Sequence, residues 1–332
     1  MPERNLVCSA PARANLLGNP TDIYGGAVLS CSVPLRARVG IQSLPGLELE
    51  TAGQRFPVRR PGDLERRGDL FDLGRAVLEA VGTEGLEARI SYETEVPRQS
   101  GMGGSSALLV ALLQALRAYR GRPLAGHELA EAARAIELRL MNVVCGYVDQ
   151  YMATFGGIRF LDFRGKQLAA PDGQEPFATV ESLARASDEL PFVLAYTGVQ
   201  HHSGAVHSPI RERWLAGDPE VVRGYERVIQ LAGLGKRAFL AGDWERFGAF
   251  MNENHDIQRG FGGSGRSNER LVAAALGAGA LGAKLAGAGD GGTVAVLCEG
   301  STRAAVEAAL LEAGAAALYR PEPVPGVTLE GG

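Results

Sequence analysis

The chain has 332 residues, 45% hydrophobic and 22% charged, with a formal net charge of −4; this suits a globular protein with a sizeable core and excludes a basic nucleic-acid-binding surface. Cys8, Cys31, Cys145 and Cys298 are scattered with no C-x-x-C pair, so neither a zinc framework nor a disulfide scaffold is expected and a reducing, cytoplasmic setting fits. No apolar run reaches the roughly eighteen residues of a membrane span, and Met1-Pro2-Glu3-Arg4-Asn5 lacks the apolar stretch of a signal peptide, so neither a membrane nor export is expected.

In chain order, residues 6–8, 14–18, 27–33 and 37–41 read as short strands. Among them lies Gly18-Asn19-Pro20-Thr21-Asp22-Ile23-Tyr24-Gly25-Gly26, dense in turn formers and in side chains that hydrogen-bond sugars or backbone. Residues 70–81 have helical spacing and 88–94 read as a strand. The stretch Gly101-Met102-Gly103-Gly104-Ser105-Ser106 then opens a helix whose Leu108, Leu109, Leu112, Ala115, Leu116 and Tyr119 recur on one face. Glycines permit close backbone approach, and a helix N-terminus offers unpaired N–H groups and the positive end of the dipole, so this is a candidate phosphate cradle.

A helix is expected over 128–140, followed by Gly146-Tyr147-Val148-Asp149-Gln150 and an apolar segment over 151–160. The polar stretch around Pro171, Gly173 and Pro176 gives the best domain junction, dividing the chain into 1–165, a junction of 166–188, and 189–332. Beyond it come a strand at 191–197, a loop with His201, His202 and His207, and helices at about 220–241 and 243–255. Strands at 283–286 and 293–297 then flank a second glycine loop, Gly287-Ala288-Gly289-Asp290-Gly291-Gly292. A helix over 302–314 and a last short strand close the chain.

Two glycine loops suit a nucleotide triphosphate held from two sides. Phosphoryl transfer also needs a positioned carboxylate, a cation and a metal. Asp149, flanked by apolar residues, is the candidate carboxylate; Arg13 is the candidate cation. Ser106 and Glu137 are candidate Mg²⁺ ligands, since Mg²⁺ takes a few hard oxygens besides substrate phosphates. Structural alternatives stay open for each: Ser105 and Ser106 as helix caps, Asp149 as a cap or ion-pair partner, Arg13 at a strand surface, Glu137 facing solvent. The histidine loop has no ligand spacing for a transition metal. His207, Arg211 and Arg213 read instead as donors and positive charge for a carboxylate or phosphate, or as a solvated helix start with Trp214 in the core. Asn252, Asn254, His255 and Arg259 form another polar stripe, facing either the cleft or solvent.

The segments Pro11-Ala12-Arg13-Ala14-Asn15-Leu16-Leu17-Gly18-Asn19-Pro20-Thr21-Asp22, residues 97–107 and Lys284-Leu285-Ala286-Gly287-Ala288-Gly289 resemble, in this order, the three motifs of the GHMP small-molecule kinases, the superfamily of galactokinase, homoserine kinase, mevalonate kinase and phosphomevalonate kinase. Within it the chain is similar to the glucuronokinases, through Gly18-Asn19-Pro20-Thr21-Asp22, the 97–107 loop, and Ser203, Gly204, His207, Ser208, Arg211, Arg213, Trp214 and Gly217. The resemblance implies an α+β fold of two domains: an N-terminal domain with a ribosomal-protein-S5-like βαβ unit and a ferredoxin-like C-terminal domain, with the active site in the cleft between them. It implies ATP and Mg²⁺ as cofactors and transfer to the anomeric hydroxyl of a uronic acid, D-glucuronate. Asp149 and Arg13 would be catalytic. Gly101, Gly103, Gly104, Ser105, Ser106, Gly287 and Gly289 would hold the ATP phosphates, with Ser106 and Glu137 on Mg²⁺. Asn19, Asp22, His207, Arg211 and Arg213 would hold the acceptor.

Two departures stand out: Asn19-Pro20 replaces the Glu-His of galactokinases, which argues against galactose, and Asp290 interrupts the third glycine run. The alternatives are a kinase for another sugar, such as a heptose phosphate or neutral hexose, and a catalytically silent paralogue that binds ATP and sugar. A monomer or homodimer is expected, with a small molecule as partner.

Overall fold

Two long strands set the frame. In the computed structural model, which describes residues 5–166, 175–183, 190–200 and 203–330 (backbone alone for 203–207), β1 (Asn5–Leu17) pairs antiparallel with β2 (Ala27–Ser43). The four short strands expected here are two continuous ones. The breaks near Pro11 and Pro34 become a register shift, with Pro34 and Leu35 passed over between Arg36 opposite Pro11 and Val33 opposite Ala12. Such a bulge bends a hairpin without ending it. The outer half accordingly packs Leu6, Cys8, Ala10, Val39 and Ile41 into one core, and the inner half packs Ala12, Ala14, Leu16, Leu29 and Cys31 into another.

The first sheet is completed by the hairpin β3 (Leu47–Thr51) and β4 (Gln54–Pro57) and by β5 (Ala88–Thr94), which lies between β2 and β3. Helices α1 (Asp72–Val81), α2 (Gly104–Tyr119) and α3 (Gly126–Arg139) cover it, burying Val77, Leu109, Leu112, Leu116 and Ile136. The apolar segment expected over 151–160 is split by Gly156 and Gly157, both left-handed at φ 57° and 72°, into α4 (Val148–Phe155) and β6 (Ile158–Asp162). β6 pairs with the start of β2, and β7 (Thr179–Ser182), from within the polar junction, pairs with β6.

The second sheet is antiparallel. Its strands are β8 (Phe192–Tyr196), β9 (Gly282–Leu285), β10 (Thr293–Leu297) and β11 (Ala317–Tyr319), in the order β11-β8-β10-β9. Helix α5 (Ser203–Leu215) packs on α6 (Pro219–Ala241), and beside them α7 (Trp244–Gly260), α8 (Arg266–Gly277) and α9 (Arg303–Glu312) pack around the sheet. Alternation along β8 sends Phe192 and Leu194 toward β1, β2 and α7, and Val193 and Ala195 toward α8 and α9. The last strand, β12 (Thr328–Glu330), leaves this half and pairs with β1, so the segment expected to close the second unit completes the first sheet. No helix among the described residues is long and apolar enough to cross a membrane.

Candidate active site

Arg13 points off the face of β1 opposite Ala12 and Ala14, and it is buried. Its Nε and Nη2 donate to Asp149 Oδ1 at 2.8 and 2.6 Å, while Nη1 donates to the Gly101 carbonyl at 2.5 Å and reaches the Ala286 carbonyl at 3.5 Å. One guanidinium thus touches the two glycine loops and the candidate carboxylate, which rules out the strand-surface alternative. Asp149 Oδ2 is left on the side of Gly103, where an added Cβ would lie 3.5 Å from it.

Asp149 sits in the first turn of α4, where the helix dipole favours a negative charge. Asp22 holds that helix end. Its Oδ2 accepts from the backbone N–H groups of Tyr147 at 2.8 Å and Val148 at 3.1 Å. Gly146 is required beside it, because a Cβ there would fall 2.0 Å from Asp22 Oδ2. Burial pushes the Asp22 carboxyl above its usual range against the lowering effect of these two bonds. The residue expected to bind sugar therefore has a prior task, which is to orient the helix of Asp149.

The cradle opens α2 with Gly103 as its N-cap at φ 72°, and no side chain caps the helix. The serines are therefore not caps: Ser105 is exposed in the first turn and Ser106 is buried. The uncapped N–H groups fit an anion. Gly101 faces Gly287 so closely that a Cβ on Gly287 would lie 2.8 Å from the Gly101 carbonyl oxygen. Thr293 Oγ1 donates to the Ser100 carbonyl at 2.8 Å, which joins the same two loops. Asn268 clamps Gly291 through both its N–H (2.7 Å) and carbonyl (2.9 Å). Asp290 fits into this loop in the left-handed conformation at φ 54°, which aspartate tolerates better than most residues, with its N–H on the Ser264 carbonyl at 2.7 Å.

Ser106 and Glu137 come together, with Ser106 Oγ donating to Glu137 Oε2 at 3.1 Å. Glu137 is buried, so the solvent-facing alternative fails. Gln150 completes the group: it is fully buried, Nε2 donates to Glu137 Oε2 at 2.7 Å, and its Oε1 has no partner among the described residues. Burial, followed by the charge of Asp149, pushes the Glu137 carboxyl up. Two hard oxygens, a carboxyl that a divalent cation would return to its charged form, and an unpartnered buried carbonyl all fit Mg²⁺. The sequence gives Gln150 no role; its signal is a lone amide beside Asp149 at the head of an apolar segment.

On the acceptor side Asn19 is buried. Its Oδ1 accepts from Lys284 Nζ at 2.5 Å, and its Nδ2 reaches the Leu285 and Gly287 carbonyls at 3.4 and 3.3 Å. The polar stripe of α7 is anchored inward at two positions, with Asn254 on Gly18 N–H (3.0 Å) and Asn252 on Ala283 N–H (2.9 Å). Arg213 is paired with Asp218 at 2.7 Å and Glu220 at 2.9 Å at the start of α6, and its charge also reaches the Tyr225 phenol. Arg211 has no ion pair among the described residues, and its Nε is buried without a partner near the Tyr24 phenol. The ring of Tyr24 lies 4.5 Å from that of Tyr225 and 4.8 Å from that of Trp214, and neither tyrosine belonged to the expected site. The side chain of His207, and His201 and His202 entirely, lie outside the described residues.

Models of the GHMP kinases N terminal domain and the GHMP kinases C terminal match residues 72–157 and 236–316, and the galactokinase galactose-binding signature matches 2–43. The chain is 32% identical over 326 residues to glucuronokinase 1 of Arabidopsis thaliana, covering 86% of this chain and 83% of that protein. It is 28% identical over 297 residues to a mevalonate kinase of Methanothermobacter thermautotrophicus, covering 88% and 90%. In fold it is similar to a D-glycero-D-manno-heptose 1-phosphate kinase from Bacteriodes thetaiotaomicron (TM-score 0.73, 21% identity, covering 98% and 99%) and to Lactococcus lactis galactokinase complexed with galactose (0.77, 18%, 98% and 95%). The chain belongs to the GHMP kinases. It has their two-domain fold of mixed helices and sheets and is a small-molecule kinase of a family that uses ATP.

Proposed function

We propose that this kinase transfers the γ-phosphoryl group of ATP to the anomeric hydroxyl of a uronic acid, D-glucuronate, giving the 1-phosphate. The phosphates would lie between the 101–106 and 287–289 loops, over the N-terminus of α2. Ser106 and Glu137 would hold Mg²⁺, which supplies charge neutralisation on the phosphates. Asp149, gripped by Arg13 through one oxygen, would orient or deprotonate the acceptor hydroxyl with the other. Arg13 would counter the charge of the transferring group.

The acceptor class rests chiefly on one observation. Arg211 Nε is buried without a partner among the described residues; it lies beside Tyr24, whose phenol bonds to that of Tyr225, which bonds in turn to Gln258, on elements that meet at the acceptor loop. Buried polar groups are normally paired. A ligand carboxylate would give Arg211 its partner, beside the hydroxyl-bearing chain of Tyr24, Tyr225 and Gln258. The match to glucuronokinase 1 supports the same reading. Steady-state kinetics of Arg211→Met test it: KM for D-glucuronate should rise roughly tenfold or more, as for loss of a charge-assisted hydrogen bond, while KM for ATP holds. An unchanged KM for D-glucuronate would refute the assignment.

A further inference from the structure

Lysine is rare in this chain: three lysines stand against thirty-one arginines. Two have carboxylate partners, Lys166 with Glu131 and Glu175 and Lys236 with Glu181. Lys284 has none among the described residues. It lies wholly buried on β9, and its ammonium donates to Asn19 Oδ1 and to the Leu285 carbonyl, each at 2.5 Å. Asn19 Nδ2 donates toward the Leu285 and Gly287 carbonyls, so the acceptors around it fix which end of the amide faces the lysine. Asn254 holds the same loop from α7, through Gly18 N–H and the Asn19 carbonyl.

We infer that Lys284 is a positioning residue: its ammonium fixes Asn19, and with it the acceptor loop, against the third glycine loop, and loss of its proton loosens that hold. The inference rests on the reading of residues 18–22 as the acceptor loop. An ammonium at this spot makes charge-assisted bonds, which are shorter and stronger than those a neutral amine makes to the same oxygens. Arginine, which supplies nearly every other cation here, cannot give up its proton, whereas a buried lysine can. Among the described residues, the charged and titratable groups that face Lys284 are Arg13 on β1 and His255 on α7, the latter bonded to Glu269 of α8. Burial, helped by the charge of Arg13, brings Lys284 from 10.5 down to about 7. Burial also lowers His255, which therefore titrates on the acid side of its usual range.

With so few lysines, side-chain ¹³C labelling of lysine in the full chain lets NMR follow each one. One lysine should titrate near neutrality; that signal should vanish in Lys284→Met, persist in His255→Gln, and move toward the ordinary 10.5 in Asn19→Asp, where a carboxylate faces it. With ATP and D-glucuronate, wild-type acceptor KM should rise with pH through neutrality. In Lys284→Met it should be about tenfold higher and independent of pH, with KM for ATP within about twofold. Three lysines that all titrate in the ordinary range overturn the inference. So does a near-neutral lysine that Asn19→Asp leaves unmoved, or an equal rise in both KM values. The spectra decide the matter for Lys284 even without D-glucuronate turnover, whose absence in the wild type would instead count against the acceptor reading.

Discussion

Asp149 and Arg13 carry the proposed chemistry through one shared oxygen. Asp149→Asn keeps the shape of the side chain and removes the charge that Arg13 grips, so kcat should fall by about 10²–10⁴-fold while the dissociation constant for ATP, read by fluorescent-nucleotide displacement, holds. Lys284 gives a second prediction. Between about 7 and 10.5 the unfolded chain keeps a proton that the folded chain has released, so the unfolded state binds more protons and stability rises with pH through that window. Lys284→Met keeps the stem and removes the buried charge; its melting temperature should exceed that of wild type by more at pH 7 than at pH 10, and an equal difference at both would contradict the assignment. The pairings of Arg13 with Asp149 and of Ser106 with Glu137 were legible as residue types in sequence order. Arg211 and Arg213 were not separable, because residues two apart on a helix point to nearly opposite sides, and one meets Tyr24 while the other meets Asp218. The task of Asp22 was hidden too: its bond to Tyr147 spans 125 residues and leaves no local pattern.

At the level of elements, α1, α2, α3, α6, α7, α9 and the two loops were readable from periodicity and glycine spacing, and β5 and β10 fall where the sequence predicts them, whereas α5 begins within the expected histidine loop and α4 and α8 were not legible as helices. The prolines of β1 and β2 misled, because Pro11 and Pro34 sit at a bulge instead of ending strands. What the pattern could not convey is how tightly the loops interlock. Gly289 has φ +100°, and a Cβ on it would fall 1.8 Å from the Gly263 carbonyl oxygen. Gly289→Ala should therefore destabilise the protein by about 1–3 kcal/mol and weaken ATP binding with it, measured by thermal melts with and without nucleotide. A variant with unaltered melting and affinity would show that the loop yields.

Across the whole molecule the two sheets are fused, since Ala12, Leu16, Leu29 and Cys31 share one core with Phe192, Leu194, Phe247 and Met251. A large apolar interface of this kind opposes free hinge motion between halves, which suits a site whose parts come from both. The C-terminal segment adds a clasp: β12 covers the edge of β1, and Arg36 donates to the Pro325 and Gly326 carbonyls at 2.9 and 2.8 Å. Removing residues 322–332 exposes that edge and should lower the melting temperature and promote self-association, visible by size-exclusion chromatography. The proposed acceptor is tested most directly by ADP release from ATP-Mg²⁺ across uronic acids, neutral hexoses, heptose phosphates and mevalonate, with mass spectrometry of the products. D-Glucuronate should give the highest kcat/KM and a product heavier by one phosphoryl group. Mevalonate or a neutral hexose outperforming every uronic acid would contradict the acceptor assignment.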